Sequence, residues 1–189
     1  MTLGEPAAFG AADGHSLVLA GALASKAEDE DAIDLAVIAA LADSRALNGY
    51  TQSGFVPFDP VNKRTEGQIT DADGKTFKVT KGAPQVVMAL AKLAGEQAAR
   101  AERLVDNFAA KGYRTLGVAR SEDGERWTFL GILPLFDPPR EDSKETIHQS
   151  VEHGIEVKMV TGDNVAIARE IAGRLELGTK IQPAGDLLA

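Results

Sequence analysis

The run Lys78-Val79-Thr80-Lys81-Gly82-Ala83-Pro84 is the stretch best equipped for ligand chemistry. Phe77 and Val79 alternate with polar or charged neighbours, the period-2 pattern of a half-buried strand. Pro84 has no N–H to donate and suits the first turn of a following helix. Gly82 has no Cβ, so a ligand could approach its backbone closely. Lys81 is expected at a sheet edge beside that opening. A cation, a glycine and a helix start together suit an anionic or nucleotide ligand. A strand-to-helix turn with a solvated lysine accounts for the same residues, and this stretch alone favours it. Gly74-Lys75-Thr76 has the ending of a phosphate-binding loop, but Ile69 stands where the first glycine of that motif is required, and no helix follows.

Other chemistry is narrowed by composition. The 189 residues carry 20 basic and 28 acidic side chains, a net charge of −8. That balance argues against nucleic acid as the main partner. There is no cysteine, which removes disulfides, zinc–thiolate sites and thiol catalysis. His15, His148 and His153 are too scattered for a histidine-rich metal site. The Asp29-Glu30-Asp31 and Asp71-Ala72-Asp73 triplets have the spacing of a phosphatase nucleophile loop, but the first opens a helix and the second makes a hairpin turn. The longest apolar run, Leu17 to Ala24, is far shorter than a membrane span, and no signal peptide is visible, so the isolated chain is expected to be soluble and cytosolic.

The elements that must position these residues follow in order. Met1 to Gly14 reads as an extended lead-in, Ser16 to Ser25 as a short apolar helix. The acids Glu28 to Asp31 suit the start of a helix over Asp31 to Leu41, where Asp34 sits one turn inside beside Ile33, Val37, Ile38 and Leu41. Pro57 and Pro60 exclude a helix before Lys63. A strand resumes at Gln68, turns at Asp71 to Gly74 and returns over Lys75 to Lys81. Helices are expected over Pro84 to Leu93 and Glu96 to Lys111, then strands over Tyr113 to Ala119 and Trp127 to Leu133. This is an α+β arrangement, an antiparallel sheet with flanking helices. The pattern then changes: a helix over Glu141 to His153, an apolar strand over Ile155 to Val160, the loop Thr161-Gly162-Asp163 and a helix over Val165 to Leu175. That is half of a doubly wound parallel unit, an incomplete α/β Rossmann-like segment. Two domains are expected, 1–131 and 132–189.

Five motifs in order carry a resemblance to the P-type ion-transporting ATPases: Asp31-Ala32-Ile33-Asp34, Pro57-Phe58-Asp59-Pro60-Val61-Asn62-Lys63-Arg64, Lys81-Gly82-Ala83-Pro84, Asp137-Pro138-Pro139-Arg140 and Thr161-Gly162-Asp163. The second and fourth, with Met159 to Asn164, most resemble the plasma-membrane proton-pump branch. The resemblance implies that the first part is a nucleotide-binding domain and the second a partial phosphorylation domain of the haloacid-dehalogenase type. It implies that Phe58 stacks on adenine, with Phe55 the candidate for a core phenylalanine. It implies that Lys63 and Lys81 flank the adenine pocket beside Gly82, that Asp34 faces the adenine amino group, with Asp31 more peripheral, and that Arg114 reaches the phosphates. Asp137 and Arg140 resemble the hinge that nucleotide contacts on closure. Thr161, Gly162 and Asp163 resemble the loop that holds the transferring phosphoryl group.

The family's phosphorylated Asp-Lys-Thr-Gly and its later Gly-Asp-Gly magnesium motif do not occur in this sequence. The implied chain therefore binds ATP or ADP and performs no chemistry alone. The parent pump would supply the aspartate, the Mg²⁺ site and the remaining phosphorylation, actuator and membrane domains, with this part on the cytoplasmic face. The alternatives are a free-standing nucleotide-binding or regulatory module, or a small phosphatase.

Overall fold

The structure is a computed structural model and describes residues 1–178 and 180–182. Position 179 and positions 183–189 of the expected second domain lie outside the described residues. In chain order the elements are β1 (Thr2–Leu3), β2 (Ala7–Ala8), α1 (Gly14–Leu23), α2 (Ala32–Ala39), β3 (Tyr50–Val56), β4 (Arg64–Asp71), β5 (Thr76–Gly82), α3 (Pro84–Leu90), α4 (Gly95–Ala110), β6 (Arg114–Ser121), β7 (Thr128–Phe136), α5 (Ser143–Glu152) and α6 (Val165–Arg174).

The strands form one seven-stranded sheet in the order β1-β7-β6-β5-β4-β3, with β2 also on β7, and the pairs are antiparallel. The Asp71–Gly74 hairpin forms as its residues dictate. Asp71 Oδ1 accepts from the Asp73 and Lys75 amides, and Gly74 takes φ +79° without a Cβ penalty. Asp13 and Ser16 cap α1 reciprocally, Asp31 caps α2, and Pro84 opens α3.

Both sheet faces are covered. Neighbours on one strand go to different cores: Val118 packs with Leu17, Val37, Ile69, Val79 and Leu133, whereas Ala119 packs with Val87, Met88, Ala101, Phe129 and Ile132. Strict alternation sends successive side chains to opposite faces, so α1 and α2 cover one face and α3 and α4 the other.

Four expectations change. The lead-in contributes β1 and β2, and Tyr50–Val56 is a strand that the polar run Thr51-Gln52-Ser53 conceals. β5 lies between β4 and β6, so Lys81 is in the sheet interior and not at an edge. The expected strand over Ile155 to Val160 is absent: these residues pair with no neighbour, and Val160 is 96% exposed. No Rossmann-like parallel pairing occurs among the described residues. A strand exists only through its neighbour's hydrogen bonds, and this segment has no parallel neighbour there. The helices around it form nonetheless, α5 and α6, with α6 packed against α4.

Candidate functional site

Where β5 gives way to Ala83-Pro84, the sheet opens into a cleft of about 760 Å³. Lys81, Thr65 and Leu116 line it from the sheet, Asp31, Ile33 and Asp34 from the start of α2, and Phe55, Pro57, Phe58, Pro60 and Lys63 from the end of β3 and the loop into β4. Five of the sequence-predicted nucleotide residues therefore meet here: Asp34, Phe58, Lys63, Lys81 and Gly82.

Lys81 and Asp34 form a buried ion pair at the base of the cleft, 3% and 5% exposed. Lys81 Nζ donates to Asp34 Oδ1 at 2.6 Å, to the Ala24 carbonyl at 3.0 Å and to Thr65 Oγ1 at 3.2 Å. Asp34 Oδ2 accepts the Lys26 amide at 2.8 Å. Burial pushes the Lys81 ammonium below its ordinary value, and the charge of Asp34 opposes that shift. An ammonium has three N–H groups, and these partners take all of them. Lys81 thus holds Asp34 and the end of α1 in place. Asp34 keeps lone-pair capacity for a donor arriving in the cleft.

Asp59 shapes the loop that carries Phe58, Pro60 and Lys63 to the cleft. Its carboxylate accepts the Val61 amide at 2.9 Å and the Asn62 amide at 3.3 Å, and its carbonyl accepts the Lys63 amide at 2.6 Å. Those bonds hold the Asp59 carboxyl below the ordinary range, the Val61 amide contributing most. The turn places Lys63 at φ +50°, and the Lys63 carbonyl accepts the Ala83 amide at 2.9 Å. Phe58, just ahead of the turn, is 60% exposed, so it is no core residue. Phe55 is half-buried at the cleft with the Lys26 ammonium 5.9 Å from its ring centroid.

Gly82 serves the backbone. A Cβ there would lie 2.6 Å from Arg64 Cα and closer still to the Lys63 carbonyl, so glycine lets the loop close down on β5. Chain fills the space on the Cβ side, and Gly82 still lines the cleft.

Arg114 is not among the cleft residues. Its guanidinium grips Asp163, Nε to Oδ1 at 2.9 Å and Nη2 to Oδ2 at 3.0 Å. Thr161 Oγ1 donates to Asp163 Oδ2 at 3.0 Å and accepts the Asp163 amide at 3.1 Å. Gly162 has open space where a Cβ would stand. Asp137 is exposed just past β7, and Arg140 pairs with Asp142 at 3.2 Å. The structure thus joins Arg114 to the Thr161–Asp163 loop and leaves Asp137 and Arg140 apart from the cleft.

Sequence reasoning missed Thr65, Leu116, Ile33 and Asp59. Thr65 is buried and its hydroxyl donates to the Ala24 carbonyl at 2.7 Å, a role no spacing announces. Asp59 was legible in part, since an Asp between prolines and before Val-Asn is a turn former. Among the described residues no group of three or more acidic or histidine side chains is gathered to hold a metal ion, and no helix is long and apolar enough to cross a membrane.

No protein-family model matches the chain. Over 191 aligned positions it is 44% identical to a protein of Methanocaldococcus jannaschii described as a cation-transporting ATPase. The alignment takes in 100% of this chain and 23% of that protein. The chain is therefore homologous, along its whole length, to one segment of a cation-transporting ATPase.

Proposed function

We propose that this chain is the nucleotide-binding part of a P-type cation-transporting ATPase and that its cleft holds the adenine of ATP. The observation that carries the reading is the convergence of Asp34, Phe58 and Lys63, from separated segments, on one cleft with apolar walls. Those residues fit the base. Ile33, Phe55, Phe58 and Leu116 supply apolar and π surface, and Asp34 is an acceptor for the exocyclic amine. The phosphates do not suit the α2 side, where Asp29 and Asp31 line the opening. They leave past Lys63, in the direction of β6. Leu116 lines the cleft and Arg114 is two residues along the same strand, roughly 7 Å further on the same face.

In the parent pump this part would hold the base while closure carries the γ-phosphate to an aspartate, so its catalytic share is positioning. The bound Mg²⁺ would neutralise the transferring phosphates there. The division of the chain into a nucleotide-binding domain over 1–131 and part of a phosphorylation domain beyond it belongs to the same proposal. A proton as the transported cation rests on the motif wording alone.

Titration of the chain with ATP, with and without Mg²⁺, tests the proposal. We expect saturable binding whose affinity hardly changes with Mg²⁺. Absence of binding by a folded sample at high nucleotide would refute it.

A further inference from the structure

At the other end of β5 lies a second cavity of about 390 Å³ that shares no lining residue with the cleft. Phe77 and Val79 line it, as Lys81 and Gly82 line the cleft. Leu19 and Leu23 of α1 and Leu130 of β7 add to an apolar wall. Its volume falls at the small end of the range for small-molecule sites, about 300–1,000 Å³.

One charged side chain lines it, Arg120. The guanidinium lies 3.7 Å over the Phe77 ring, and its Nε donates to Glu122 at 2.6 Å. Glu122 also meets Lys75 Nζ at 2.6 Å. Glu122 is the carboxylate that sits between the two cations, Lys75 and Arg120. Asp13, whose carboxylate accepts the amide of the lining residue Ser16 at 2.7 Å, keeps its negative charge, so selection of an anion rests on Arg120 itself. Guanidinium has five N–H donors, so Arg120 retains several beyond the one given to Glu122.

We propose that this cavity binds a small amphipathic anion. Its alkyl or aryl body would lie among Leu19, Leu130 and Phe77, with a single carboxylate-type head on Arg120. An apolar wall alone would take any neutral hydrocarbon. A cation fixed on an aromatic face selects the anionic head. The proposal stands apart from nucleotide binding, since the two cavities are lined separately.

Calorimetric titration of the whole chain with octanoate, 1-octanol and octyltrimethylammonium tests it. Octanoate should bind one-to-one, about tenfold more tightly than 1-octanol, with the quaternary amine weakest. Arg120→Gln should weaken octanoate about tenfold and leave 1-octanol unchanged. Ala11→Trp, on the exposed rim, should remove both without lowering the melting temperature. No saturable octanoate binding by folded protein overturns the proposal. So does equal affinity for the quaternary amine, or binding indifferent to both substitutions.

Discussion

Lys81 has no N–H left for a ligand. Asp34, Ala24 and Thr65 accept all three, and a nucleotide in the cleft meets the carboxylate that Lys81 holds. Removing one partner of a buried pair leaves the other charge uncompensated, typically at a cost of about 3–5 kcal/mol. Asp34→Ala should therefore lower unfolding stability by about that amount in urea denaturation. A change under about 1 kcal/mol would show that the pair is open in solution. Phe58 is the opposite case. It is 60% exposed, so Phe58→Ala should leave the melt unchanged. Loss of a base stack worth about 1–3 kcal/mol should weaken ATP roughly 5- to 150-fold. Unchanged affinity would remove Phe58 from the binding surface. Glu66 gives a pH test. Burial pushes its carboxyl up, but Lys78 and Arg64, at 2.8 and 2.6 Å, outweigh burial and hold it below its ordinary 4.5. A carboxyl with a depressed folded pKa contributes stability that is fully present above its unfolded value and is lost as pH falls through the folded one. Glu66→Gln should therefore cost stability at neutral pH and flatten the acid limb below about pH 4.5. An unchanged acid limb would assign that limb to other carboxylates.

At the scale of elements, the site depends on how the β3–β4 loop is seated on the β5–α3 corner. Asp59 shapes the loop, and the Lys63 carbonyl ties it to the Ala83 amide. Gly82 leaves room for that contact. Gly82→Ala should push the loop off the strand, destabilising by about 1–3 kcal/mol as other overpacked sites do and weakening nucleotide binding as Phe58 and Lys63 shift. Full affinity in this variant would show that the loop is not part of the site. The motif at Lys81 to Pro84 was legible, because strand alternation and a proline at a helix start are local signals. Its burial was not. A lysine reads as solvated until its partners are known, and Asp34 lies 47 residues away. Tyr50–Val56 was hidden for a related reason: a strand exposed along one face carries polar residues at most positions.

For the molecule as a whole, the antiparallel sheet with flanking helices was readable from periodicity, turns and the order of elements, whereas their division over both faces was not. The segment after β7 was readable only as helices. Ile155 to Val160 has a strand's composition, but pairing depends on partners that no local pattern supplies. Arg114, proposed to lie on the side the phosphates take, pairs with Asp163. That ion pair ties β6 to the Thr161–Asp163 loop, 49 residues on. The chain spans 23% of the ATPase it resembles, so its proposed task is to hold a nucleotide that other domains use. Amide chemical-shift mapping of the folded chain titrated with ATP tests this most directly. Saturable shifts should gather at Ile33, Asp34, Phe58, Lys63, Thr65 and Gly82, and Phe9, Leu19 and Leu130 around the second cavity should stay still. Shifts confined to the second cavity, or none at saturating nucleotide, would contradict the account.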